Sequence, residues 1–379
     1  MKPVYLDYNA TTPVAPEVVE AMLPFLNQHF GNPSSNHPLG RAAAEAIEDA
    51  RMLVAAAIGA DREEIFFTSG GTESNNLAII GLMSDAPANS HLITSQIEHP
   101  AVLEPIKWLE RQGHRVTYVR SNRDGVVEPE AIKAALRSDT RLVSIMHANN
   151  ETGAIQPLSA IAEVLQDREV IFHTDAAQSL GKIPVQVDEL GVNLLAIAGH
   201  KCYAPKGVGA LYVRFGTVVN PLLRGAPHER GLRPGTENVA GIVALGRACQ
   251  LLTSRGEEAQ RQIAQRRDLL AHSLQADIPD LRINAAESAR LPNTLSVVFP
   301  HVSGHQLLQQ AHHVYASTGS ACHSGNASRS ATLENLGLDV ETARGTVRLS
   351  LGWHTTEAEI QQAANSLIAA WQSLTAPPV

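Results

Sequence analysis

Short apolar runs alternate along this chain with stretches whose apolar residues recur every three or four positions. Runs at 65–67, 91–94, 116–119, 142–146, 170–174 and 194–198 read as strands, and 207–214 reads as a hairpin partner returning to them. Helical spacing marks 16–27, 41–59 (through Ile47, Leu53, Val54 and Ile58), a segment beginning near 75, and then 100–112, 129–136 and 161–165. Strand and helix in alternation predict an α/β fold with one mostly parallel, helix-covered sheet. Chemistry in such sheets gathers at the carboxyl ends of the strands. The residues that follow each run therefore matter most.

The run 194–198 stops at Gly199-His200-Lys201. A partly desolvated lysine there has a lowered pKa and suits Schiff-base chemistry, whereas a solvated surface lysine is the plainer reading. The run 170–174 stops at Asp175, ahead of Ala176, Ala177 and Gln178. An acid at one strand end and a lysine at a later one match the needs of pyridoxal phosphate. The lysine holds the aldehyde, and the acid keeps the pyridine nitrogen protonated. Asp175 equally reads as the cap of a helix starting near Ala176.

The run 65–67 enters Thr68-Ser69-Gly70-Gly71-Thr72, where a helix start offers unpartnered N–H groups and the positive dipole end to an anion. An ordinary helix cap is the alternative, and no Gly-Lys-Ser/Thr makes it a Walker loop. His99 is placed either over a planar ring or as an ordinary loop histidine. Asn149 and Asn150 are ligands or turn formers.

Beyond Pro221 the texture changes. Segment 224–238 mixes Arg224, Arg230, Arg233 and Thr236 with glycines and prolines, suiting phosphate or carboxylate contact or an exposed subunit contact. A long helical stretch, 241–275, leads into a smaller α+β part. That part has strands at 294–299 and 347–351, helices at 304–311, 331–336 and 357–374, and a lone thiol in Ser317-Thr318-Gly319-Ser320-Ala321-Cys322.

Composition narrows the classes. A net charge of -8 and 4% aromatics give no nucleic-acid surface. No run nears the ~18 apolar residues of a membrane span, and no basic-then-apolar leader opens the sequence. Cys202, Cys249 and Cys322 are odd in number and far apart, which argues against a disulfide framework and for a reducing, cytoplasmic compartment. His301, His305, His312, His313 and His323 lack a carboxylate at any metal-binding spacing, so no metal is expected.

In order, Tyr5-Leu6-Asp7-Tyr8-Asn9-Ala10-Thr11-Thr12-Pro13, Thr68 to Ser74, Asn149-Asn150-Glu151-Thr152-Gly153, Asp175-Ala176-Ala177-Gln178, Gly199-His200-Lys201, Arg233-Pro234-Gly235-Thr236, Ser320-Ala321-Cys322 and Val347-Arg348-Leu349-Ser350-Leu351-Gly352 span nearly the whole chain. Together they resemble the pyridoxal 5'-phosphate-dependent cysteine desulfurases (NifS/IscS-like) of the class V aminotransferases. The resemblance implies the fold type I architecture of that group. It has a large domain (residues 15–255) with a mostly parallel seven-stranded sheet, and a small α+β domain (1–14 and 256–379) that carries the cysteine loop.

It also implies roles. Lys201 carries the cofactor, Asp175 faces its ring nitrogen, and His99 stacks on the ring and moves protons. Gln178 meets the ring oxygen, and Asn150 lies beside ring and substrate. Gly71, Thr72 and His200 hold the phosphate, joined by Thr236 from the other subunit of a homodimer. Arg348 clamps the carboxylate of L-cysteine. Cys322 takes the sulfur as a persulfide, for transfer to an acceptor protein, and leaves L-alanine. Three departures stand out: Ala198 where a serine is usual, Gly225-Ala226-Pro227 where three glycines are usual, and His323 after the thiol. The Ala-Cys-His-Ser order is similar to selenocysteine lyases, which makes L-selenocysteine the alternative substrate. A sulfur-trafficking platform without catalysis is the remote alternative, disfavoured by the presence of both Lys201 and Cys322.

Overall fold

The structure is a computed structural model that describes residues 2–318 and 329–376. Seven strands form the large sheet: β1 (Ile65–Thr68), β2 (His91–Ser95), β3 (Arg115–Val119), β4 (Thr140–Ser144), β5 (Ile171–Asp175), β6 (Leu194–Ala198) and β7 (Gly209–Val213). Their spatial order is β1-β7-β6-β5-β4-β2-β3. Only β7 runs against its neighbours, pairing antiparallel with β6 and β1. Every residue of β2, β6 and β7 is buried. That is why these strands read as continuous apolar runs, with helices covering both faces.

The helices start and stop where their end residues dictate. Pro38–Ile58 begins earlier than 41, because Pro38 fills the first turn behind a His37 cap and needs no N–H there. It ends at Gly59, whose φ of 67° is left-handed. The stretch 16–27 is two helices, Pro16–Met22 and Pro24–Asn27, with Pro24 opening the second. No helix follows Asp175, where the chain makes a turn instead. The capping reading of Asp175 falls with it.

The long helix Val239–Asp277 breaks at Gly256, where φ is 56° and ψ is -161°. One apolar cluster ends at Leu252, and a second gathers Ile263, Leu270 and Leu274 with Val4 and Leu6. The smaller sheet is antiparallel, with β8 (Arg282–Ile283), β9 (Thr294–Val298), β10 (Ser317–Thr318) and β11 (Thr346–Ser350) in the order β10-β11-β9-β8. Beside it Val4–Tyr5 pairs in parallel with Val314–Tyr315. Two-residue pairings such as β8 and β10 are too short to show any periodicity. No described helix is long and apolar enough to cross a membrane.

Candidate active site

A cavity of about 230 Å³ opens over the carboxyl ends of β1, β2, β4, β5 and β6, and the small sheet closes its far side. Gly71, Thr72, His99, Asn150, Asp175, Gln178, His200, Lys201 and Arg348 all line it. Thr236 is exposed and does not line it, and Cys322 lies outside the described residues.

Lys201 ends a single 3-10 turn, Gly199–Lys201, that leaves β6. Glycine is required at 199, since a Cβ there would sit 2.8 Å from the Val208 carbonyl oxygen. The Lys201 ammonium donates to the carbonyls of Asn9 (2.6 Å) and Ala10 (2.7 Å). Burial lowers its pKa to about 8, Arg348 pushes the same way, and Asp175 and Asp7 oppose. An amine with that pKa is partly uncharged near neutral pH and so nucleophilic. The solvated-surface reading does not hold.

One strand over, Asp175 is buried, with Oδ2 accepting from Asn75 Nδ2 (2.8 Å) and Oδ1 from the Ala177 N–H (2.9 Å). At the mouth, His99 caps the helix Pro100–Arg111 by accepting the Ala101 N–H at Nδ1 (3.1 Å). A neutral ring must then carry its proton on Nε2. Desolvation lowers the His99 pKa, with Asp175 opposing and Lys201 adding to the shift.

The anion end is the N-terminus of Gly71–Met83, which no side chain caps. Its first-turn N–H groups are left for a ligand. A Cβ on Gly71 would come within 3.1 Å of Ala198 Cβ, so the backbone there is bare and closely approached. His200 sits alongside, its Nδ1 3.2 Å from Thr11 Oγ1, and burial with Lys201 beside it lowers its pKa to about 4. None of Arg224, Arg230 and Arg233 lines the cavity. Arg233 donates to Glu73 (2.8 Å), Arg230 to the Glu63 and Ile65 carbonyls, and Arg224 to the Pro221 carbonyl. Within one chain, the phosphate-contact reading of these arginines is therefore corrected.

Arg348 comes from inside β11. It donates through Nη2 to Asp7 Oδ1 (2.8 Å) and through Nη1 to the Asn150 carbonyl (3.0 Å), while its buried Nε has no partner among the described residues. Asp7, Asn9 and Lys182 are the residues that sequence reasoning missed. Asn9 and its neighbours read as a polar turn, yet Asn9 is 1% exposed and joins the two parts of the molecule. Its side chain donates to Thr294 Oγ1 (2.9 Å) and accepts from Asn293 Nδ2 (3.0 Å). Cys202 and Cys249 are buried free thiols whose pKa values burial raises, which keeps both protonated and inert.

A family model, Aminotransferase class-V, matches residues 4–363. The chain is 47% identical over 360 residues to a protein named cysteine desulfurase IscS from Dictyoglomus turgidum, covering 94% of this chain and 91% of that one. Among solved structures, one titled NifS-like protein superposes with a TM-score of 0.90 at 37% identity, over 97% of this chain and 98% of its own. Another, titled SspA in complex with cysteine, gives 0.82 at 36% identity, over 93% and 100%.

Proposed function

The chain belongs to the class-V aminotransferase family, and from that premise we infer that it is a cysteine desulfurase, converting L-cysteine to L-alanine with transfer of the sulfur to Cys322. The observation that carries this reading is the placement of a pKa-lowered Lys201 and a buried Asp175 at adjacent strand ends of one cavity. The residues present suit pyridoxal 5'-phosphate. Lys201 would anchor its aldehyde and Asp175 would face its ring nitrogen. Gln178 would face its ring oxygen, and the uncapped helix end at Gly71 and Thr72, with His200, would receive its phosphate. When bound, the cofactor supplies an electron sink for the charge left as a proton leaves the substrate Cα.

The chain's own groups supply the rest. Arg348, with N–H bonds beyond those spent on Asp7 and Asn150, binds the substrate carboxylate beside Asn150. Lys201 and His99 hold and move protons at the substrate Cα. The Cys322 thiolate attacks the substrate sulfur. A sulfur–sulfur bond forms, the sulfur–carbon bond breaks with its pair left on carbon, and that carbon takes up a proton. The persulfide then passes its sulfur to an acceptor protein. We place the enzyme in the cytoplasm as a homodimer in which Thr236 of one subunit reaches the phosphate of the other's site. The chain divides into residues 15–255 and a unit of 1–14 with 256–379. The kink at Gly256, between two apolar clusters, supports that boundary.

The test is turnover of holoenzyme with L-cysteine and L-selenocysteine, wild type beside Cys322→Ala, following alanine with sulfide or selenide. Desulfuration by wild type and none by Cys322→Ala is the expected result. Cleavage of selenocysteine alone, retained in Cys322→Ala, would replace this reading with a selenocysteine lyase.

A further inference from the structure

Lys182 is a second lysine close to the site, half-buried, and the chemistry above gives it no task. It does not line the main cavity. It stands behind Gln178, and its Nζ donates to Gln178 Oε1 (2.7 Å) and Asn9 Oδ1 (3.2 Å). Gln178 in turn donates through Nε2 to the Asn9 carbonyl (3.0 Å). Both neighbours demand the same orientation of the Gln178 amide. An ammonium only donates, so it must face the oxygen, and a carbonyl only accepts, so it must face the nitrogen. One Nε2–H bond is left over, and Gln178 lines the cavity.

We propose that Lys182 is a positioning residue that locks the Gln178 amide so that the cavity is offered a hydrogen-bond donor at this point, suited to an anionic ring oxygen. The inference rests on the cofactor reading above. It deepens that reading by assigning the device that sets the ionisation of the bound chromophore. Burial drives the Lys182 pKa far down, Lys201 and Arg348 add to the shift, and Cys202 opposes it. Even an uncharged amine keeps two N–H bonds, enough for the same two oxygens. Other charged or titratable groups face the cavity, Asp175, Asp7, Arg348, Lys201, His99 and His200, and Tyr8, Tyr203 and Arg255 line a second pocket with Lys182 and Cys202. None of them contacts Gln178 Oε1 among the described residues.

A donor at the ring oxygen stabilises its ionised form, so the bound chromophore gives up its proton at a lower pH. The experiment is a spectrophotometric pH titration of holoenzyme in wild type, Lys182→Met, Lys182→Gln, Lys182→Arg, Gln178→Met and the Lys182→Met/Gln178→Met double variant. Melting of each apoprotein is followed in parallel. Lys182→Met and Lys182→Gln are expected to raise the midpoint by about half to one pH unit, a roughly three- to tenfold change in proton affinity. Lys182→Arg should restore most of the shift. In the Gln178→Met background, Lys182→Met should add nothing further.

An unmoved midpoint in both Lys182→Met and Lys182→Gln would overturn the proposal, and a lowered melting temperature alongside it would leave Lys182 a purely structural role. A full shift that persists without Gln178 would overturn it as well. Wild type that takes up no pyridoxal phosphate would overturn the cofactor reading and this inference together, a result separable from the variant outcomes.

Discussion

The two sheets meet the cavity in opposite ways. The large sheet presents its residues from strand ends: Gly71 beyond β1, His99 beyond β2, Asn150 beyond β4, Asp175 at the tip of β5 and Lys201 beyond β6. Each is aimed by the turn that its own strand makes. The small sheet presents Arg348 from the middle of β11, between Ser296 of β9 and Ser317 of β10. Its guanidinium is aimed by partners distant in sequence, Asp7 and the Asn150 carbonyl. The first arrangement places titratable groups close together on one rigid edge. The second holds a bidentate cation opposite them. On the proposed function, chemistry falls to one wall and substrate binding to the other.

Substitutions that separate kcat from KM test that assignment. The largest effect belongs to Lys201→Ala, expected to lower kcat by about 10⁴-fold or more in steady-state alanine release, since it removes the anchoring and proton-moving amine together. Next, His99→Gln should lower kcat by about 10²-fold with little change in KM, the size of a lost general acid–base group. Arg348→Lys should act in the opposite sense, raising KM for L-cysteine about 10-fold or more with kcat nearly kept, because a point charge replaces a planar fork. A fall in kcat with KM unchanged in that variant would break the division between the walls.

The smallest effect is on stability and concerns Glu98, the buried residue that precedes His99. Its Oε1 accepts from Ser95 (2.6 Å) and the Met146 N–H (2.9 Å), and its Oε2 has no partner among the described residues. Burial raises its pKa from 4.5 to about 8, with Asp175 adding. Its folded-state pKa lies above the unfolded value. The stability it contributes is therefore complete below about 4.5 and lost as pH rises through about 8. Lys201 has the reverse sense. The unfolded chain binds the extra proton between about 8 and 10.5, so this residue makes the apoprotein more stable as pH rises across that window. Denaturant titrations of apoprotein from pH 5 to 8 should show a decline that Glu98→Gln flattens.

The same contrast explains what the sequence discloses. Lys201 and Asp175 are legible because a buried parallel strand is an unbroken apolar run and its end is visible locally, and the Thr68 to Gly71 turn because its glycine pair follows another apolar run. Asp175 reads equally well as a helix cap until the turn at Ala177–Ser179 removes that helix. Asn9, Asp7 and Lys182 are not legible in this way. Asn9 meets Lys201, Gln178, Asn293 and Thr294 only after both parts of the chain have folded around it. Lys182 lies four residues after Gln178, a helical spacing, yet its bond to Gln178 is made in a turn. Arg348 looks like any strand residue until Asp7 and Asn150 surround it.

On the proposed function Lys201, and not the half-buried Lys182 nearby, carries the cofactor. Borohydride reduction of the holoenzyme followed by peptide mapping tests it most directly. A single pyridoxyl-modified peptide containing Lys201 is expected, formed equally in Lys182→Arg and absent in Lys201→Ala. A modified peptide containing Lys182, or none from a protein loaded with pyridoxal phosphate, would contradict it.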